Sequence, residues 1–227
     1  MARKDIKDQR RQQLISATMD SIAKRGLTET SITHICRGAD MSRGIVNFYF
    51  DSKEKLMLAV LAHILEEYQS VWQQALVKAD KEKQLEAVVS AQFDKRICNA
   101  KRLTVLSAFW GHAASHKDYL ELVEKADASI LSALRDSMKD KTNVQQKSVQ
   151  LYAMIRGLWL GYLMAPKTTD REALAAICLA TLEQKTQAPR MSSPATRMSQ
   201  PARPRPQKKP AKNQPQQIDI EDLFANG

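Results

Sequence analysis

The sequence predicts an all-α protein, and three observations carry that prediction. Apolar residues return at i, i+3, i+4, i+7 without a break from Met57 through Val60, Leu61, Ile64, Leu65, Tyr68 and Val71 to Trp72, the period of one helix face. The alternation that marks half-buried strands is nearly absent, and only seven glycines occur in 227 residues. Between Thr30 and Met57, two short amphipathic segments meet at a tight turn. At 43% hydrophobic the chain can bury a substantial core, as one large domain or two smaller ones.

The first helix runs from about Ile6 to Arg25, with Leu14, Ile15, Thr18, Met19 and Ile22 inward and Gly26 as its stop. The second spans about Ser31 to Gly38, burying Ile32, Ile35 and Cys36 while Thr33, His34 and Arg37 face outward. A turn through Ala39, Asp40 and Met41 follows. Ser42 can cap the third helix by accepting from an orphan amide, and Met41 and Val46 stand where a hydrophobic staple packs. An inner face of Ile45, Val46 and Tyr49 leaves Arg43, Gly44, Asn47 and Phe48 presented outward. That is the build of a helix-turn-helix, whose second helix meets base edges: Arg can clamp guanine, and Asn adenine.

Any two short amphipathic helices of an all-helical protein share this outline, so the flanking residues decide. F-Y-F-D-S-K-E-K-L follows, where Asp51 or Ser52 caps a new helix and Lys53 sits in its first turn, placing amides and an ammonium where a phosphate could be held. With S-R-G-I-V-N ahead of it, this stretch closely resembles the TetR family of one-component bacterial transcription regulators, over about Gln9 to Leu65. The resemblance implies DNA contacts from Ser31, Thr33, Ser42, Arg43, Gly44, Asn47, Phe48, Tyr49 and Lys53. Two positions depart from the family. Asp40 stands for the usual turn glycine, and Asp tolerates a positive φ better than most residues; Asn47 replaces a usual Tyr and points to a different operator.

The long helix from about Lys53 to Ala79 links this head to a body with helices near Leu85–Ala100, Leu103–Ser115, Asp118–Met138, Val144–Met164 and Asp170–Glu183, the last opened by a Thr169/Glu172 capping box. The final two carry wide apolar stripes: Leu151, Ile155, Leu158, Trp159, Tyr162 and Leu163 on one, and Leu174, Ile177, Cys178 and Leu182 on the other. Burial within one subunit is one reading. In the resembled family these helices pair with their copies in a second subunit, which implies a homodimer on a near-palindromic double-stranded DNA operator. The expected domains are a DNA-binding head over 1–52, a ligand-binding and dimerisation body over 53–187, and a disordered Pro-rich basic tail over 188–227.

The charge of +10 lies at the two ends: residues 1–60 hold eleven basic against seven acidic side chains, and residues 188–227 hold seven against three. Basic ends on a nearly neutral body suit a chain whose head meets a polyanion, and also suit plain solubility. Seven of the eight prolines fall between Pro189 and Pro215, in a segment too polar to offset its ordering entropy. The end, I-D-I-E-D-L-F at 218–224, alternates acid and apolar residues in the manner of a short docking motif.

No run of eighteen apolar residues occurs and M-A-R-K-D-I-K lacks a signal-peptide core, so the expectation is a cytoplasmic protein without a membrane span. Cys36, Cys98 and Cys178 are too scattered for a zinc site or disulfide frame. His112 and His116 have the spacing of a helical metal pair but lack an evident third ligand; no metal and no cofactor is expected.

Aromatics are sparse, at 6%, yet gather in the body as Phe109, Trp110, Tyr152, Trp159 and Tyr162. Rings at helical spacing are most often core packing, and they can also cage a quaternary ammonium by cation-π attraction. A-F-W-G-H-A at 108–113, I-R-G-L-W-L at 155–160 and F-D-K at 93–95 resemble the BetI-type branch of the family, choline-responsive repressors of glycine-betaine synthesis genes. That resemblance implies a small effector, choline or a related cation, with Phe109, Trp110, Trp159 and Tyr162 as pocket candidates. Asp94 and Glu124 could supply negative charge there, or stand in solvent. Gly161, Ala128 and Ser129 stand where arginines are common in the branch, which leaves room for a different ligand.

The sequence therefore reads as a ligand-responsive DNA-binding repressor. A regulator without ligand control is a second reading. A helical-bundle enzyme is a third, disfavoured because no paired inward carboxylates, E-x-x-H or nucleophile–base pair is visible.

Overall fold

A computed structural model describes residues 2–138 and 142–183, and every described element is helical. The tail over 188–227, with its 218–224 motif, lies outside the described residues.

Helix α1 covers Ala2–Arg25, one turn longer at its start than the apolar pattern indicated. Its inner face is the expected one: Leu14, Ile15, Thr18, Met19 and Ile22 are all buried. Gly26, at φ 84°, ends it and returns its amide to the Ile22 carbonyl. Helix α2 is Ile32–Ala39, capped by the Ser31 hydroxyl, which accepts from the His34 amide; Ile35 is fully buried while Ile32 and Cys36 are half-buried.

The turn after α2 forms around Asp40, which holds the left-handed conformation (φ 52°, ψ 49°) that its position required, while the Met41 amide donates back to Cys36 O. The Gln13 side chain braces this corner by donating to Ala39 O at 3.0 Å. A β-branched side chain resists that backbone, so Asp40→Val should lower folding stability by about 1–2 kcal/mol while Asp40→Gly should not. Urea midpoints of the two variants check this.

Helix α3, Arg43–Tyr49, starts at Ser42, whose hydroxyl accepts from the Ile45 amide. Helix α4, Lys53–Lys78, starts at Ser52, accepting from the Lys55 amide, and buries the predicted stripe from Met57 to Trp72, with Leu65 half-buried. α1 packs on α4 as well as on α2, so the described residues of head and body share one compact unit despite their separate sequence signatures.

The body is α5 (Gln84–Ala91, after a 3-10 turn at Lys81–Lys83), α6 (Ala100–Ala113), α7 (Lys117–Ser137), α8 (Val144–Met164) and α9 (Arg171–Glu183). The single helix expected over Leu85–Ala100 is broken after Ala91. Gln92 is fully buried and its carbonyl accepts the Trp159 indole N–H at 2.9 Å, while the Arg96 amide that would continue the helical ladder donates to the Asp94 side chain. Asp94 then bends the chain by accepting from the Arg96 amide and from its guanidinium, which holds the carboxyl below the ordinary range. Asn99, accepting from the Arg102 amide, restarts helix three residues before the expected Leu103.

The cap of α9 shifts by one residue: Asp170, not Thr169, accepts from the Glu172 amide, while the Thr169 hydroxyl donates back to Ala165 O. α8 touches α6, α7 and α9, and α5 touches α4, α7 and α9. No described helix is long and apolar enough to cross a membrane.

Candidate DNA interface and effector cavity

α3 is a two-turn rod held by three buried side chains, Met41 before it, Val46 within it and Phe50 after it. Arg11 rests over the Phe50 ring at 5.4 Å and ties the end of the rod to α1. Ser42, Arg43, Gly44, Asn47 and Phe48 are therefore all exposed, and Tyr49 is half-buried edge-on to Phe48. Thr33 is exposed on α2, Ser31 caps α2 half-buried, and Lys53 is half-buried in the first turn of α4. Of these nine positions, Ser42, Gly44, Phe48 and Tyr49 line one surface groove.

Ile45 corrects the sequence reading. It is 40% exposed rather than inward, because one residue, Val46, suffices to anchor so short a helix. Ile45 and Phe48 share a shallow surface groove with Ile6, Arg10, Ser42, Gly44 and Tyr49, so α1 contributes to this face through residues the motif alone does not name.

In the body, Trp110 and Trp159 stack with centroids 6.4 Å apart and planes 11° from parallel, and Tyr68 meets Trp159 edge-on at 5.8 Å. Gln92 fixes this group from beneath: it accepts from the Tyr68 hydroxyl at 2.8 Å and from the Trp159 indole. The rings line an enclosed cavity with Ile64, Leu65, Leu103, Leu106, Tyr152, Asp127 and Arg156. Its free volume is about 20 Å³, room for about one water.

The occupied position in this cage is instructive. The Arg156 guanidinium lies 4.7 Å from the Trp110 ring centre and 4.8 Å from that of Tyr152, and donates to the Asp127 carboxylate at 2.7 Å. The Tyr152 hydroxyl donates to the same carboxylate oxygen at 2.8 Å. Burial pushes the Asp127 carboxyl above its ordinary value against the pull of Arg156, and burial likewise pushes the Tyr152 phenol up. Two buried donors here, Trp110 Nε1 and Arg156 Nε, have no acceptor among the described residues.

Of the four pocket candidates from the sequence, the structure brings Trp110 and Trp159 together on this cavity. Phe109 is fully buried edge-on to Tyr119, and Tyr162 is buried in α8; neither lines it. Tyr68, Gln92, Asp127 and Arg156 were not singled out from sequence. Asp94 is paired with Arg96 on a wider, open groove of about 800 Å³ between α4, α5 and α9, and Glu124 is exposed. That groove is larger but offers no aromatic cage.

His112 and His116 each set Nδ1 against a helix carbonyl, Ala108 O and His112 O, and no cluster of three metal-ligating side chains occurs among the described residues. Cys98 and Cys178 are buried, with thiols pushed up to about 11 by burial, far from a reactive thiolate.

A helix-turn-helix head on a helical body is the build of a DNA-binding transcription regulator. Residues 14–60 match the family model for bacterial regulatory proteins of the tetR family, and residues 81–187 match that for the C-terminal part of BetI-type transcriptional repressors. The HTH-type transcriptional regulator BetI of Burkholderia cenocepacia is 31% identical over 179 residues, 76% of this chain and 92% of its own. Its counterpart in Burkholderia ambifaria is 32% identical over 178 residues, with the same coverage.

Among solved structures, a TetR transcription regulator from Haloarcula marismortui superposes with a TM-score of 0.68 at 17% identity, covering 76% of this chain and 96% of its own. A protein described as a transcriptional regulator of Saccharomonospora viridis, in complex with choline, gives 0.67 at 17% identity over 78% of this chain and 97% of its own. The chain belongs to the TetR family of DNA-binding transcriptional regulators, with a regulatory half of the BetI repressor type. It is a regulator and not an enzyme.

Proposed function

We propose that this repressor is controlled by a small effector, acts as a two-fold homodimer on a near-palindromic operator, and is released when a quaternary ammonium compound such as choline occupies the body cavity. The carrying observation is the cage itself: two stacked tryptophans, two tyrosines and a carboxylate converge on one enclosed space in a BetI-type half. Aromatic faces with an adjacent anion are the surroundings that favour an onium cation. The choline complex of the Saccharomonospora viridis protein supports the same class.

In this reading Arg43 and Asn47 read base edges, aided by Ser42, Gly44 and Phe48, while Ser31, Thr33, Tyr49 and Lys53 position the backbone of the duplex. The division at residues 52 and 53 is then one of task, since the parts share a core. The effector contacts are Trp110 and Trp159 with Tyr68, Tyr152 and Asp127; Phe109 and Tyr162 are core residues outside the cavity lining.

α6 supplies the route between the sites. It carries Trp110 at the cavity, and at the head it carries His112, 3.4 Å from the Thr28 hydroxyl, and Lys101, paired with Asp20 of α1. A ligand that moves Trp110 therefore shifts a helix already joined to the head, and it acts only through its differential affinity for the two states.

The test uses a labelled duplex from the protein's own promoter. Choline should release the wild-type protein from it, whereas Trp110→Ala should keep DNA affinity within about twofold and lose the response, because the cation-π wall is gone. Wild-type affinity for DNA that is unchanged by choline would overturn the effector assignment.

A further inference from the structure

We propose that Arg156 is a built-in occupant of the effector cavity, holding the cation position over Trp110 and Tyr152, and that an onium effector binds by displacing this guanidinium and inheriting Asp127 as its counter-ion. The proposal rests on the reading of this cavity as the effector site and adds how the site is gated.

Volume gives the first argument. Cavities that hold small ligands run to roughly 300 Å³ or more, and this one has about 20 Å³ free. Something must leave before a ligand enters. Trp159, Tyr152 and Tyr68 are buried, with indole or hydroxyl committed to Gln92 or Asp127, so they cannot move cheaply. Arg156, Asp127 and Arg102 combine lining the cage with solvent access, their side chains being 32%, 25% and 21% exposed. The Arg102 guanidinium is paired with Glu67, whereas that of Arg156 is the one that lies over Trp110 and Tyr152.

Charge gives the second. The cage already holds one cation and one carboxylate in contact. A second cation beside the guanidinium would meet strong repulsion in a poorly solvated space, so entry and departure are exclusive. The arginine stem is flexible and its head can be rehydrated at the surface, whereas Asp127 keeps its hydrogen bond from Tyr152 and stays to receive the newcomer.

Hydrogen bonding gives the third. Arg156 Nε has no acceptor in its present place, so the guanidinium is held by its ring faces and one carboxylate with a donor unsatisfied. It is an imperfect ligand, suited to being replaced. Trp110 Nε1, equally unpaired, is available to an oxygen on the incoming molecule. Arg156 lies on α8 between the buried Tyr152 and Trp159 and one turn from the exposed Leu160, so its release alters the edge of the helix beside that exposed apolar stripe.

Calorimetry with choline chloride on the full chain tests this, using Arg156→Gln and Arg156→Met, two variants so that a folding defect in one does not decide the matter, and Asp127→Asn. Both Arg156 variants should bind choline at least about tenfold more tightly than wild type, since the competitor is removed, and Asp127→Asn should bind at least about tenfold more weakly. Equal or weaker binding by the Arg156 variants, with wild type binding normally, would overturn the displacement and leave the cation reading intact. Absence of choline binding to wild type and to both Arg156 variants would overturn the two together.

Discussion

Replacing Leu160 with glutamate should convert the protein to a monomer and weaken binding to its operator at least a hundredfold. α8 and α9 share an outward face of unusual composition: Val149, Leu160 and Met164 with Ile177 are exposed, Leu160 by 54%, among the small residues Ala153, Gly157, Gly161 and Ala173. A Cβ built on Gly157 or Gly161 would meet nothing within 4 Å, so the face is flat and open to a close-packed helix. An isologous dimer buries on the order of 800 Å² per partner, and a two-fold axis would set each new carboxylate against the same patch of its copy. A buried, unpaired charge costs several kcal/mol, and a dimer reads two half-sites where a monomer reads one. Sedimentation equilibrium and operator titration of Leu160→Glu check this. A dimeric Leu160→Glu variant with unchanged affinity would place the subunit contact elsewhere.

The second large effect concerns which residues read sequence and which hold phosphate. Arg43→Ala or Asn47→Ala should lower affinity for the operator by roughly 1–3 kcal/mol per half-site while leaving affinity for random duplex nearly unchanged, because each removes a bidentate contact to a base edge. Lys53→Ala should weaken both duplexes alike and flatten the dependence of log affinity on log salt by about one per copy. The geometry sets this contrast: Arg43 and Asn47 stand exposed on α3, whereas Lys53 is half-buried in the first turn of α4. Equal losses on both duplexes from all three variants would contradict the assignment.

The head was legible from sequence because its signals are local. Ser31, Ser42 and Ser52 each cap the helix they precede, and Asp40 adopts the left-handed turn where a glycine is usual. The stripe from Met57 to Trp72 spans enough turns to fix its face; α3, with two turns, does not, and Ile45 was assigned to the wrong side. The body was less legible because its partners are distant in the chain. Gln92 breaks a helix for the sake of Trp159, 67 residues on, and Tyr68, 24 residues back. Asp127 is one acid among several on α7 until the packing of α7 on α8 sets Tyr152 and Arg156 against it. Trp110 and Trp159 could be picked out by type, but the filled state of their cage depends on an arginine that sequence reading passes over.

The central claim is that two copies of α3, joined through the body, hold one operator until a cation fills the cage. Analytical ultracentrifugation of the full chain with a fluorescent duplex from its own promoter tests it most directly. The account predicts a complex of one duplex with a whole number of dimers that choline dissociates. A monomeric protein that leaves every promoter duplex free would contradict it.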